Sequence, residues 1–201
     1  MTACLPNGLT DCLLWSEENG MGWHPRPPMS YEGPYFEHYR ELDATDRGAD
    51  LTQARVEMVR RHYSGRQVVD VGIGGGRFVT ECDCFGFDVN PEAVAWLKSV
   101  GRYHDPVAPA LTFWDALEHI PSPERAVGDA GEWVFVSMPI YRDATDVVAS
   151  KHYKPGEHLW YWTKDGLIRW FHRQGFFCVE VNHMESELGR EGIMSFAFKR
   201  A

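Results

Sequence analysis

Residues 67–76 read Gln67-Val68-Val69-Asp70-Val71-Gly72-Ile73-Gly74-Gly75-Gly76. The β-branched run predicts a buried strand. It passes directly into glycines, which lack Cβ, accept positive φ and let backbone approach a ligand closely. Asp70 precedes the turn, where a carboxylate can orient the loop amides or meet a ligand amine. Cys84 to Val89 (CFGFDV) predicts a second strand, and Asp88 near its end follows Gly76 by twelve residues. A carboxylate there can accept hydrogen bonds from both hydroxyls of a ribose. A glycine run alone is only a turn. Strand, glycine turn, strand and terminal acid in succession form a nucleoside cradle.

Outward from this stretch, strand and helix patterns alternate. Residues 51–63 read as an amphipathic helix with Leu51, Ala54, Met58, Val59 and His62 inward and Arg55, Glu57, Arg60 and Arg61 toward water, capped by Asp50 and stopped by Gly65. Asn90 and Pro91 open a helix that ends at Gly101. Leu111–Trp114 and Trp133–Ser137 read as strands, with a short helix from Ser122-Pro123 between them and a loop opening at Pro139. Thr163 caps a helix ended by Gly175, and Phe176–Val181 and Ile193–Phe198 read as a closing hairpin pair. The expected fold is α/β: a doubly wound, mostly parallel, Rossmann-like sheet with an antiparallel C-terminal edge. Ligands of such sheets sit beyond the carboxyl ends of the strands, at the switch point.

Residues 1–50 lack periodicity and carry Gly20, Gly22, Pro25, Pro27, Pro28, Gly33 and Pro34 among the aromatics Trp15, Trp23, Tyr31, Tyr35, Phe36 and Tyr39. They read as a lid or wrap, with a short helix from Tyr35 to Leu42, ahead of a main domain over 51–201.

The chain has 201 residues, is 44% hydrophobic and 24% charged, and has a formal net charge of −9. This composition excludes a disordered or collagen-like chain, and the acidic balance disfavours a broad nucleic-acid footprint, which needs clustered Lys and Arg. No apolar run reaches the ~18 residues of a spanning helix, and no signal peptide is evident. A soluble, cytoplasmic protein with reduced cysteines is expected, with no membrane role; its oligomeric state is not legible.

Four segments together resemble class I S-adenosylmethionine-dependent methyltransferases: VVDVGIGGGRF (68–78), GFDVNPEAV (86–94), FWDALEHIPSPERA (113–126) and HLWYWTKDGLIRWFHRQGF (158–176). The resemblance is closest to small members grouped with the ubiquinone-type O-methyltransferases, especially short phage-like ones, and implies the family's seven-stranded sheet. It implies that Asp70, Gly72, Gly74 and Gly76 surround the methionine part of S-adenosylmethionine. Asp88 would hold the ribose, and Val89 would lie against the adenine. Trp114, Asp115, Ala116 and Leu117 would form the floor, with Tyr31, Tyr35 and Phe36 closing over. Two departures stand out. The segment from Gly76 to Asp88 allows only about one helical turn, and the segment before Leu111 is compressed, leaving His104 and Asp105 to meet the adenine edge. The tetrapeptide by which base-amino DNA methyltransferases grip an amino group is missing; Ser137-Met138-Pro139-Ile140 is no substitute.

His119 and His158 are the candidate catalytic residues. His119 is either a base near the transferred methyl or a structural histidine bonding a backbone group; His158 is either a substrate contact or a packing residue. Trp160, Tyr161 and Trp162 would line a flat-substrate pocket or alternate into the core. Cys4, Cys12 and His24 do not assemble a zinc site, Cys82 and Cys84 read as surface thiols, and no metal is expected. Glu180, Glu185, Glu187 and Glu191 read as a solvated edge. The expected activity is methyl transfer from S-adenosylmethionine to an unidentified acceptor, a small molecule by preference. The alternative is a protein that binds the cofactor without transfer. A dinucleotide oxidoreductase is disfavoured, because the glycines follow an Asp as GxGGG rather than GxGxxG with a long helix.

Overall fold

The computed structural model describes residues 13–25, 31 and 34–201. The positions of Cys4, Cys12, Pro27, Pro28 and Gly33 lie outside the described residues. The centre is a parallel run of four strands: β4 (Phe85–Phe87), β3 (Val68–Val71), β5 (Ala108–Trp114) and β6 (Ala130–Tyr141). The chain leaves β3 through α3 (Arg77–Glu81) to β4 on one side, then returns through α4 (Pro91–Ser99) to β5 on the other. That reversal opens a crevice at the carboxyl ends of β3 and β5.

Alternation along the strands builds two cores. Val69, Leu111, Phe113, Val134 and Val136 face α7 (Lys164–Arg173), meeting Leu167 and Phe171. Val68, Ala110, Trp133 and Phe135 face the other way, onto Met58 and Val59 of α2 (Asp46–His62) and Leu97 of α4. The closing pair, β8 (Phe176–Asn182) and β9 (Ile193–Arg200), is antiparallel, and β9 pairs with β6. The expected mostly parallel sheet with an antiparallel edge is therefore present. Among the described residues it has nine strands, and no helix is long and apolar enough to cross a membrane.

Several boundaries differ from the sequence reading. Strand β6 runs through Pro139 to Tyr141 instead of opening into a loop. The Ile140 amide donates to the Gly192 carbonyl on the β9 side, so position 139 faces the opposite edge. There β5 has already ended, pairing no further than Ser137, and β7 (Trp160–Thr163) begins only at Ile140. The missing N–H of proline falls in a gap where no ladder bond is needed. Helix α2 starts earlier than expected, because Thr45 rather than Asp50 caps it: its hydroxyl accepts from the Gly48 amide at 3.0 Å. The N-terminal segment is also more regular than its punctuation suggests. A hairpin of β1 (Leu14–Ser16) and β2 (Met21–Trp23) pairs with β7 and buries Leu13 and Trp15 against Tyr141, Val147 and Tyr161. Helix α1 (Tyr35–Asp43) fulfils the expectation of a short helix from Tyr35.

Candidate active site

The glycine turn lies at the mouth of the crevice. Gly72, Gly74 and Gly76 all have positive φ, at 79°, 55° and 84°. At Gly76 the constraint is double, because a Cβ would also stand 2.5 Å from the Trp96 ring. Asp88 ties the turn to the second strand. Its carboxylate accepts from the Ile73 amide at 2.9 Å and from the Asn90 amide at 2.8 Å. Burial raises its pKa, and these backbone donors oppose the rise. Each carboxylate oxygen has more than one acceptor position, so both can take a further donor. Val89 beside it is 71% exposed, an apolar side chain at the crevice rim.

Asp70 lies beneath the turn and is 1% exposed. Its carboxylate accepts from the Thr112 hydroxyl at 2.6 Å across the β3–β5 pair. Burial pushes its pKa up to about 8, against the lowering effects of Thr112 and of Arg55. Leu117, one of the expected floor residues, is packed wholly into the core below. Trp114 is buried; it meets Phe78 edge-on at 5.3 Å, and the Arg55 guanidinium lies over its ring at 5.2 Å.

Helix α1 lies over the turn. Asp43 accepts from the Arg77 amide at the start of α3, at 3.2 Å, and also from the Gly75 amide. A helix start with free amides is where a pyrophosphate binds in dinucleotide sites. Here the protein's own carboxylate takes that place. Three tyrosines then span the mouth. The Tyr39 ring lies against Gly74, Tyr35 is 4.7 Å from Tyr39 by ring centroids, and Tyr31 is 5.2 Å from Tyr35. Tyr31 reaches both ends of the crevice. Its carbonyl accepts from the Asn90 side chain and its hydroxyl lies 2.9 Å from His119 Nδ1.

His119 and His158 come together, with ring centroids 4.6 Å apart. His119 Nδ1 is 2.8 Å from the Glu157 carbonyl. A carbonyl oxygen only accepts, so Nδ1 carries the proton and Nε2 is bare in the neutral ring. That nitrogen is 3.9 Å from Glu118 Oε1. Burial lowers the pKa of both rings, that of His158 to about 2 with help from His119. His119 thus does make the backbone bond of its structural reading.

Several polar residues do not sit where the sequence reading puts them. Arg55 turns inward and forms a paired contact with Glu185 at 2.8 and 2.9 Å. Glu185, at 0% exposure, lies in the short helix α8 (Met184–Glu187) and is not on a solvated edge. Burial alone would raise its pKa; Arg55 and Arg190 overcome this and hold it at about 2. Arg190 also bonds Asp115, a non-glycine residue held at φ 51°. Glu180 pairs with Arg61 and His62. Cys82 and Cys84 are buried thiols under α3, not surface ones. Tyr161 and Trp162 are fully buried on successive sides of β7, and the Trp160 indole donates to the Ile120 carbonyl. His104 is exposed beside a single bridge between Gly86 and Tyr103. The inward network escaped sequence reading because its central pair, Arg55 and Glu185, stands 130 positions apart.

Solved structures of similar fold include magnesium protoporphyrin IX methyltransferase from Synechocystis with bound SAH (TM-score 0.64, 12% identity, 85% of this chain and 96% of that one). A second is 1,6-didemethyltoxoflavin-N1-methyltransferase from Burkholderia thailandensis, with its substrate and S-adenosylhomocysteine (TM-score 0.55, 11% identity, 98% of each chain). A third is a possible histamine N-methyltransferase from Thermotoga maritima (TM-score 0.55, 15% identity, 83% of this chain and 97% of that one). At such identities these likenesses show the fold. No curated protein sequence matches the chain. The family model described as a methyltransferase domain matches residues 36–181, well over half of the sequence, and the chain belongs to that family.

Proposed function

We propose that the protein transfers a methyl group from S-adenosylmethionine to a small-molecule acceptor. The observation that carries this reading is the crevice at the β3–β5 switch point, where a positive-φ glycine turn, a terminal carboxylate and an aromatic cover converge. The fit to the cofactor is specific. Asp43 occupies the α3 amides, which suits a ligand without phosphate. The Asp88 carboxylate retains acceptor positions for two ribose hydroxyls, and exposed Val89 offers an apolar surface to a base. Gly72, Gly74 and Gly76 let the backbone approach the amino-acid end, with Asp70 below them. Tyr31 and Tyr35 cover the mouth and exclude water, and Trp114 and Asp115 wall the inner side. S-adenosylmethionine, when bound, supplies a methyl group on a sulfonium, a cation that aromatic faces attract by roughly 0.5–2 kcal/mol. The chain's own contribution is alignment, which accounts for much of the acceleration in well-oriented displacements.

Magnesium protoporphyrin IX and 1,6-didemethyltoxoflavin, named for two of the structural neighbours, support a small-molecule acceptor. The LEH segment and the late aromatic segment support a place near the ubiquinone-type O-methyltransferases and their phage-like members. A cytoplasmic setting accords with Cys82, Cys84 and Cys178 being free thiols among the described residues. His119 and His158 border the acceptor end, reached from the cofactor end through Tyr31.

The test is incubation with methyl-labelled cofactor and a cell extract fractionated into small molecules, protein and nucleic acid. Label is expected in the small-molecule fraction. Calorimetry with S-adenosylhomocysteine is expected to show one site, with NAD not binding. Tight S-adenosylhomocysteine binding with no label in any fraction would favour a protein that binds without transferring.

A further inference from the structure

Glu118 is 2% exposed, and neither carboxylate oxygen has a hydrogen-bond partner. A buried carboxylate without donors is costly in either protonation state. It does not stand alone. One ligand atom each from Glu118, His119 and His158 lies within 4.8 Å of the others. We propose that Glu118, His119 and His158 form a binding site for a divalent first-row transition ion, with coordination positions left open for an exogenous oxygen ligand.

Three features beyond proximity argue for it. The first is that the donor set is one carboxylate and two imidazoles, which suits Zn²⁺, Mn²⁺ or Fe²⁺. A second is orientation. His119 donates Nδ1–H to the Glu157 carbonyl, which leaves Nε2 bare toward Glu118. His158 likewise bonds the backbone carbonyl of His152 through its ring. Metal-bound histidines characteristically donate their second nitrogen to such an outer partner, which fixes tautomer and ring angle. The third is mechanical. Ligand bonds of about 2.0–2.2 Å place tetrahedral donors roughly 3.4 Å apart, and the Glu118–His119 pair stands at 3.9 Å. From a span of at most 4.8 Å, side-chain shifts of about an ångström close the set. Leu159 pins the backbone on both sides, donating its amide to the Glu118 carbonyl at 2.8 Å. The 3-10 turn over Leu117–His119 and the segment leading into β7 therefore hold the three ligands on a fixed frame.

Among the described residues the set pairs residues 118 and 119 with residue 158. With three protein ligands, the ion would face its open positions to an incoming hydroxyl or water, as in catalytic rather than structural sites.

The test uses the purified full chain, stripped with chelator and titrated by calorimetry with Zn²⁺ and, separately, Mn²⁺. One equivalent is expected to bind, and Glu118→Gln and His158→Gln are each expected to weaken binding at least tenfold. His172→Gln removes an exposed ring on α7 beside Phe177 and is expected to leave binding unchanged. Since a core variant can misfold, nitrogen NMR of wild-type imidazoles is read in parallel. Zn²⁺ is expected to shift His119 and His158 together at one equivalent. No saturable binding below millimolar metal, or shifts confined to other histidines, would overturn the proposal. S-adenosylhomocysteine is titrated into the same samples, so that loss of the cofactor reading and loss of the metal site are seen separately.

Discussion

Asp70 illustrates how one residue under the turn couples stability to pH. Its carboxyl is held neutral up to about 8 by burial. The folded state therefore binds a proton that the unfolded chain releases near pH 4. The contribution is fully present below the unfolded value and is lost as pH rises toward 8, at up to about 1.4 kcal/mol per unit. Thermal melts from pH 5 to 9 are expected to show wild type losing stability relative to Asp70→Asn, which keeps a polar partner for Thr112 without the buried charge. Parallel curves would refute the buried neutral acid. At Gly76 a Cβ meets Trp96 and the backbone is left-handed at φ 84°. Gly76→Ala is expected to cost 2 kcal/mol or more in urea unfolding, as left-handed backbone alone costs about 1–2. Asp88→Ala removes an acceptor of charge-assisted bonds worth about 1.5–3 kcal/mol each. Calorimetry is expected to show S-adenosylhomocysteine binding weakened at least tenfold; equal affinity would mean that the ribose lies elsewhere.

Between elements, the inward ion network does what no single helix face could. Arg55 on α2 meets Glu185 on α8 and, through Arg190, Asp115 beyond β5. Together they clamp α2 and the β8–β9 connection around the inner crevice wall. Removing one partner of a buried pair strands the other, at about 3–5 kcal/mol. Arg55→Ala is therefore expected to destabilise by that order in urea unfolding, and Arg55→Met with Glu185→Leu to recover much of it. A loss under 1 kcal/mol for Arg55→Ala would show that the network is no more than a surface pair.

Over the whole molecule, the N-terminal residues complete the sheet and cover the site. The β1–β2 hairpin extends the sheet past β7, and α1 lies on the glycine turn. Deleting residues 1–25 bares the β7 edge and the apolar cluster around Tyr141 and Tyr161. The deletion is expected to lower the melting temperature and promote association through the open edge, read by calorimetric melting and light scattering. An unchanged melt would mean that the hairpin only rests on the sheet.

The sequence by itself determined the parallel centre, the glycine turn, the placement of Asp88 and the closing hairpin. Each rests on short-range chemistry: β-branched runs, glycine's freedom at positive φ, and the Asn90-Pro91 and Thr163 caps. Tertiary structure alone decided which charges are inside. Arg55 and Glu185 look solvated on their own segments, because burying a charge depends on a partner 130 positions away. It also decided that Pro139 stays within a strand and that Glu118, His119 and His158 converge. Neither a gap between strand ends nor a shared buried volume leaves a mark in local sequence, since both arise from how separate segments pack.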